Sequence, residues 1–276
     1  MKRGVRTGTA CLLFVAVFGW LFAPAAKTQG VVEWTYPITA DILENRNGFL
    51  TIASREELLP SDFVPRNLMG LKLKAVISDP QLRKEAALAL QDMFAAATEA
   101  GYTLYVKSAY RNYQTQSTMY QNRMDKLNKD DGVVAYPGSS DHQTGLGVDI
   151  LNYEWTKREG MTPAFGDTPE AQWMASVCAE FGFILRYMPD KEDVTGIIYE
   201  PWHFRYVGEP VARYIMEHGL TLEEFTQEYR AAIAAYEQAG GDFLALAREL
   251  TALPDAVTLT QTDSEGDSEV SFGGSQ

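Results

Sequence analysis

Three histidines occur in the 276 residues, and two of them stand near acids at spacings that suit metal chemistry. In SSDHQTGLGVDI, His142 and Asp149 are seven residues apart, with Gly145 and Gly147 between them and the aspartate set between Val148 and Ile150. A carboxylate on an apolar strand is costly to bury without a cationic partner. If the glycines turn the chain back, a loop histidine and a strand aspartate converge. A second histidine then completes three ligands with one open position, the arrangement a catalytic zinc requires. His203, in YEPWHFRYVG, is the remaining candidate for that third ligand; the plainer alternative is a simple hydrogen-bonded pair of His142 and Asp149. The third histidine, His218, precedes Gly219 at the end of a helical stretch, where it helps satisfy the last carbonyls while the glycine ends the helix.

Glu200 lies three residues before His203, with Pro201 stiffening the link. If His203 faces a metal, Glu200 reaches a water there without being a ligand. Zinc lowers the pKa of such a water to about 7, and a nearby carboxylate can take its proton and later return it to a leaving amine. E-x-x-H alone is a weak signal, because any surface helix can carry it; together with the upstream H-x6-D it becomes specific. Arg111, in SAYRNYQTQ, stands at a strand-to-helix junction, where a fixed cation can hold a substrate carbonyl or an oxyanion. Gln116 follows a turn or so along the same helix face. The alternative for Arg111 is an ordinary surface residue at a helix start.

The elements that must carry these residues are legible in outline. DPQLRKEAALALQDMFAAATEAG places Leu82, Ala86, Leu90, Met93 and Ala97 at helical spacing, with Asp79 as cap, Pro80 in the first turn and Gly101 as the stop. TLYVKSAY reads as a strand, RNYQTQSTMYQNRMDKLN as a helix and TGLGVDIL as a short buried strand. A helix over Glu170 to Glu180, strands at GFILRYM and WHFRYVG, and helices at EPVARYIMEHG and TLEEFTQEYRAAIAAYEQ follow. Without a regular βαβ repeat, this predicts an α+β fold with a small, mainly antiparallel sheet flanked by helices. Residues 29–78, rich in turn formers, read as an extended N-terminal arm, 79–250 as the catalytic domain and 251–276 as a disordered acidic tail.

Residues 1–28 combine the basic MKRGVR with the apolar ACLLFVAVFGWLFA and read as a signal peptide or, uncleaved, a membrane anchor. The domain is therefore expected outside the cytoplasm. Cys11 lies in that leader, so Cys178 has no partner for an intramolecular disulfide and, within an apolar helical pattern, reads as a buried, inert thiol. The net charge is −13, more negative still without Lys2, Arg3 and Arg6, which speaks against nucleic acid as a partner.

Taken in order, SAYRNYQTQ, SSDHQTGLGVDI and GFILRYMPDKEDVTGIIYEPWHFRYVG resemble the zinc-dependent D-alanyl-D-alanine carboxypeptidases of the VanY type, in the branch of the M15 peptidases that also contains LD-carboxypeptidases. The resemblance runs from about Asn45 to Gly219. It implies a DD-peptidase/hedgehog-like fold and one zinc held by His142, Asp149 and His203. It further implies Glu200 as general base and acid, and Arg111, Ser140 and Gln116 around the terminal D-alanine of a peptidoglycan stem peptide. Its alternatives are an LD-carboxypeptidase acting on tetrapeptide stems and a cell-wall binding module with a structural zinc; retention of Glu200 speaks against the second. Two departures stand out: Asp141 where the pattern usually has Glu, and Gly147 where it has Ala. Neither is expected to touch a ligand.

Overall fold

In the computed structural model, which describes residues 32–252, the chain enters through a short helix, α1 (Ala40–Leu43), and an irregular run that leads to β1 (Leu68–Gly70). The leader expectation over 1–28, with Cys11, and the tail expectation beyond 252 lie outside the described residues. β1 pairs antiparallel with β2 (Gln81–Arg83), and α2 (Lys84–Glu99) follows at once. This corrects the expected helix start at Asp79. Asp79 takes a left-handed backbone (φ 49°), and residues 81–83 are drawn into pairing with 68–70, so Leu82 reaches the core from a strand. Pairing with a distant segment satisfies backbone groups that the local helical pattern would otherwise have used. Beyond that start, Ala86, Leu90, Met93 and Ala97 form the buried stripe of α2, and Gly101, at φ 87°, closes it.

β3 (Leu104–Ser108) runs to a loop holding Arg111, and α3 (Tyr113–Leu127) is capped by the Asn112 side chain, which accepts from Thr115 N at 2.8 Å. After a 3-10 turn at Asp141–Thr144 come β4 (Gly147–Asn152), α4 (Tyr153–Thr156), α5 (Pro169–Val177), β5 (Phe183–Leu185), α6 (Glu192–Thr195) and β6 (His203–Tyr206). The chain closes with α7 (Glu209–His218), α8 (Leu222–Gln238) and α9 (Phe243–Ala252). Strands β3, β4, β6 and β5 form, in that spatial order, an antiparallel sheet. It is the α+β arrangement read from the sequence.

Register matters most for the site. β4 and β6 are central, with Asp149 opposite His203 and Gly147 opposite Arg205; on the other side, a shift between Val106 and Ser108 sets Ser108 opposite Asp149. Because side chains alternate along a strand, Asp149 and His203 share one face, while Val148, Ile150 and Phe204 point to the other. These apolar residues join a cluster with Leu90 and Met93 of α2. A second cluster gathers Ile38, Leu43 and Leu50 of the arm with Ile184 of β5 and with Ile215, Phe225 and Phe243 of α7, α8 and α9. His218 caps its helix as expected, with Nδ1 donating to the Tyr214 carbonyl at 2.9 Å. Cys178 is buried and burial pushes its thiol up to about 12, so it has no nucleophilic role. Among the described residues no helix is long and apolar enough to cross a membrane.

Candidate active site

Three structural devices bring the acid and the two histidines together. His142 sits in the 3-10 turn that Gly145 (φ 70°) ends before β4 begins, so the chain reverses between His142 and Asp149. His203 opens β6 directly after a tight turn in which its N–H donates to the Glu200 carbonyl at 3.0 Å. Sheet pairing then places Asp149 between the two rings. Asp149 Oδ1 lies 2.9 Å from His203 Nδ1, Oδ2 lies 3.3 Å from His142 Nε2, and the rings cross at 86° with centroids 4.9 Å apart.

The tautomer of His142 follows from its surroundings. Its Nδ1 is 2.7 Å from the Ala109 carbonyl, which can only accept, so Nδ1 carries the proton and Nε2 faces Asp149 with a lone pair. Two acceptors, Nε2 and a carboxylate oxygen, are thus brought together in a buried space. Such an arrangement asks for a cation. Among the described residues, His142, Asp149 and His203 are the group whose ligand atoms come within 4.8 Å of one another, and two imidazoles with one carboxylate suit zinc.

The electrostatics agree. Burial alone would lower the His203 pKa, but the carboxylates of Asp141, 3.9 Å from Nε2, and of Asp149, hydrogen-bonded to Nδ1, with the charge of Glu200 nearby, raise it to about 9. The site therefore favours positive charge at that position. Burial and the cation of Arg111 press His142 down to about 4, keeping it a neutral acceptor. Asp149 stays well below the usual carboxylate range: burial pushes it up, and the two histidines outweigh that.

Glu200 is drawn toward the same centre, with Oε2 3.8 Å from His203 Nδ1. Burial raises its carboxyl to about 8; Asp149 adds to the effect while His203 and Arg111 oppose it. A carboxyl poised near neutrality suits both halves of a proton shuttle. Arg111 is tied into place by its backbone N–H to the His142 carbonyl (3.2 Å) and by Nη1 to Ser108 Oγ (3.3 Å), while its Nε has no hydrogen-bond partner.

A cavity of about 210 Å³ opens over this floor, and Arg111, Ser140, His142, Asp149, Glu200 and His203 all line it. Gln116 is placed otherwise. It is fully buried, its Nε2 donates at 2.7 Å to the carbonyl of Ala135, a residue that lines the cavity, and its Oε1 is buried without a hydrogen-bond partner.

Sequence reasoning missed Tyr187, which lines the cavity with its ring 5.0 Å from that of His203, and the buried Arg186 and Arg205. It also held that Asp141 and Gly147 touch no ligand. In fact Asp141 Oδ2 lies 3.9 Å from His203 Nε2. The two departures also touch each other, since a Cβ at Gly147 would sit 3.0 Å from Asp141 Cβ. The juxtaposed Asp and Gly were a signal that the sequence did offer.

Residues 79–209 match the family described as VanY, D-alanyl-D-alanine carboxypeptidase. The protein YodJ of Bacillus subtilis (strain 168) is 36% identical over 198 residues, covering 69% of this chain and 71% of that protein. Among solved structures, the LdcB LD-carboxypeptidase is 37% identical with a TM-score of 0.60, over 65% of this chain and 86% of its own. The vancomycin-resistance D,D-pentapeptidase VanY from a VanB-type cassette, solved with Zn(II), is 30% identical with a TM-score of 0.53, over 64% of this chain and 97% of its own.

Proposed function

We propose, because this chain belongs to the VanY family of D-alanyl-D-alanine carboxypeptidases, that it removes the terminal D-alanine from peptidoglycan stem peptides outside the cytoplasm, with zinc held by His142, Asp149 and His203. The observation that carries this reading is the convergence of those three side chains at the floor of a cavity that Glu200 and Arg111 also line. Zinc bound there supplies a Lewis acid that brings the pKa of a water to about 7.

The chain's own residues do the rest. Glu200 takes a proton as the attacking water's oxygen bonds to the last peptide carbonyl carbon, then delivers it to the nitrogen of the departing D-alanine as the C–N bond breaks. Arg111 holds the negative charge that develops on the carbonyl oxygen, in a site where water is scarce and a fixed cation is strong. Ser140, at the mouth of the 3-10 turn, faces the same space and is the proposed contact for the substrate's end. No covalent intermediate with the enzyme is needed.

The likeness to LdcB favours a second substrate, the tetrapeptide stem, with the same residues in the same roles. Incubation of the purified protein with synthetic penta- and tetrapeptide stems, read by mass spectrometry, separates the two. Loss of one D-alanine from the pentapeptide supports the D,D reading, loss from the tetrapeptide supports the L,D reading, and loss from neither refutes both. An amidated carboxyl end should block release, since an exopeptidase must recognise the free terminal charge.

A further inference from the structure

Behind the site runs a buried chain of charges that the mechanism above leaves without a task. His203 turns Nδ1 toward Asp149; its Nε2 is buried without a hydrogen-bond partner, and Asp141 Oδ2 lies 3.9 Å away. Asp141 is wholly buried. Its Oδ2 accepts from Arg186 Nε at 2.9 Å and its Oδ1 from Arg205 Nη1. Both arginines are buried too, and each also donates to a segment outside residues 79–209, while Arg205 Nε is taken by the Tyr206 carbonyl at 3.2 Å. Arg186 Nη1 and Nη2 donate to the two carboxylate oxygens of Glu223 in the first turn of α8, at 2.8 Å for Nη1. Arg205 Nη2 donates to the Phe49 and Thr51 carbonyls of the arm, at 2.9 and 2.7 Å.

We infer that Asp141 and Glu223 are positioning residues for His203, so that helix α8, through Arg186, fixes the geometry of the proposed metal site. The inference rests on the zinc reading. With Asp141 behind it, His203 keeps its proton on Nε2 and presents the Nδ1 lone pair to the metal, the usual service of a carboxylate behind a ligating histidine. Glu223 acts one step further back. By binding both terminal nitrogens of Arg186 it leaves only Nε for Asp141, and the carboxylate stays aimed at His203. Without Glu223 a buried guanidinium loses two of its three acceptors, which is strongly unfavourable, and Asp141 is the carboxylate left to draw toward it. Swinging onto those freed nitrogens moves Oδ2 away from Nε2.

The test uses the whole chain as Asp141→Asn, Glu223→Ala and Glu223→Gln beside the unaltered protein. Three readouts are compared: the thermal midpoint of the metal-free protein, zinc affinity by competition with a chromophoric chelator, and the visible absorption of the cobalt(II)-loaded form, which reports ligand geometry. Asp141→Asn is expected to weaken zinc binding by about 10–100-fold and Glu223→Ala by about 10-fold, each with an altered cobalt spectrum. Glu223→Gln, which keeps an acceptor but not the charge, should fall between Glu223→Ala and the unaltered protein. Folded Glu223 variants with unchanged zinc affinity and cobalt spectrum, whatever their midpoints, overturn the inference and leave Glu223 a purely structural residue; if Glu223→Ala does not fold, Glu223→Gln decides alone. Failure of the unaltered protein to bind zinc overturns the zinc reading itself, and this inference with it.

Discussion

Glu200 and His203 are three residues apart, yet the proposed reading gives them different work, and substitution separates the two. Glu200→Gln keeps shape and removes the proton acceptor, so zinc should stay bound while kcat falls by about 10²–10⁴-fold. His203→Ala removes a ligand, so zinc content and turnover should fall together. Loss of metal from Glu200→Gln, measured as zinc per chain beside kcat, contradicts the division of labour. These residues were legible because the chain has so few histidines and because a strand-borne Asp149 makes sense only with a cation. Arg186, Arg205 and Tyr187 were not. Their partners are 45 and 64 residues away at Asp141, or across a ring contact with His203, and no local spacing encodes such meetings.

At the scale of elements, the site depends on how closely the 3-10 turn lies against the first residue of β4. An added Cβ at Gly147 would meet Asp141 Cβ at 3.0 Å, Asp141 C at 3.1 Å and His142 N at 3.2 Å, so the turn carrying a ligand must give way. Gly147→Ala should therefore cost about 1–3 kcal/mol as overpacking and weaken zinc binding as well. Gly70→Ala, whose added atom meets only Asp79 Oδ1 at 3.7 Å, is the control expected to leave zinc binding unchanged. Equal zinc affinity in the two variants, by chelator competition, would show that the turn is not held to the strand this tightly. The strands and most helices were legible from periodicity and glycine stops. The start of α2 was not, because the choice between helix and strand at Gln81–Arg83 is made by Leu68–Gly70, a segment with no local mark of pairing.

The whole molecule has two apolar clusters, one around α2 and the sheet and one that joins the arm to α7, α8 and α9. Sequence alone reads residues 29–78 only as an extended arm and assigns the helices after Leu220, beyond the resemblance, no role. In the structure both reach the site, since Arg205 grips the arm's carbonyls and Arg186 grips Glu223, and those contacts cross up to 156 residues. The account as a whole stands on one claim, that His142, Asp149 and His203 hold a zinc on which peptide hydrolysis depends. The direct measurement strips the protein of metal, titrates zinc back, and reads bound metal and D-alanine release from a pentapeptide stem in the same sample. The account predicts no release from the stripped protein and activity rising in proportion to zinc until about one equivalent is bound. Undiminished release from protein shown to be metal-free, or saturation with zinc and no release from any stem peptide, would contradict it.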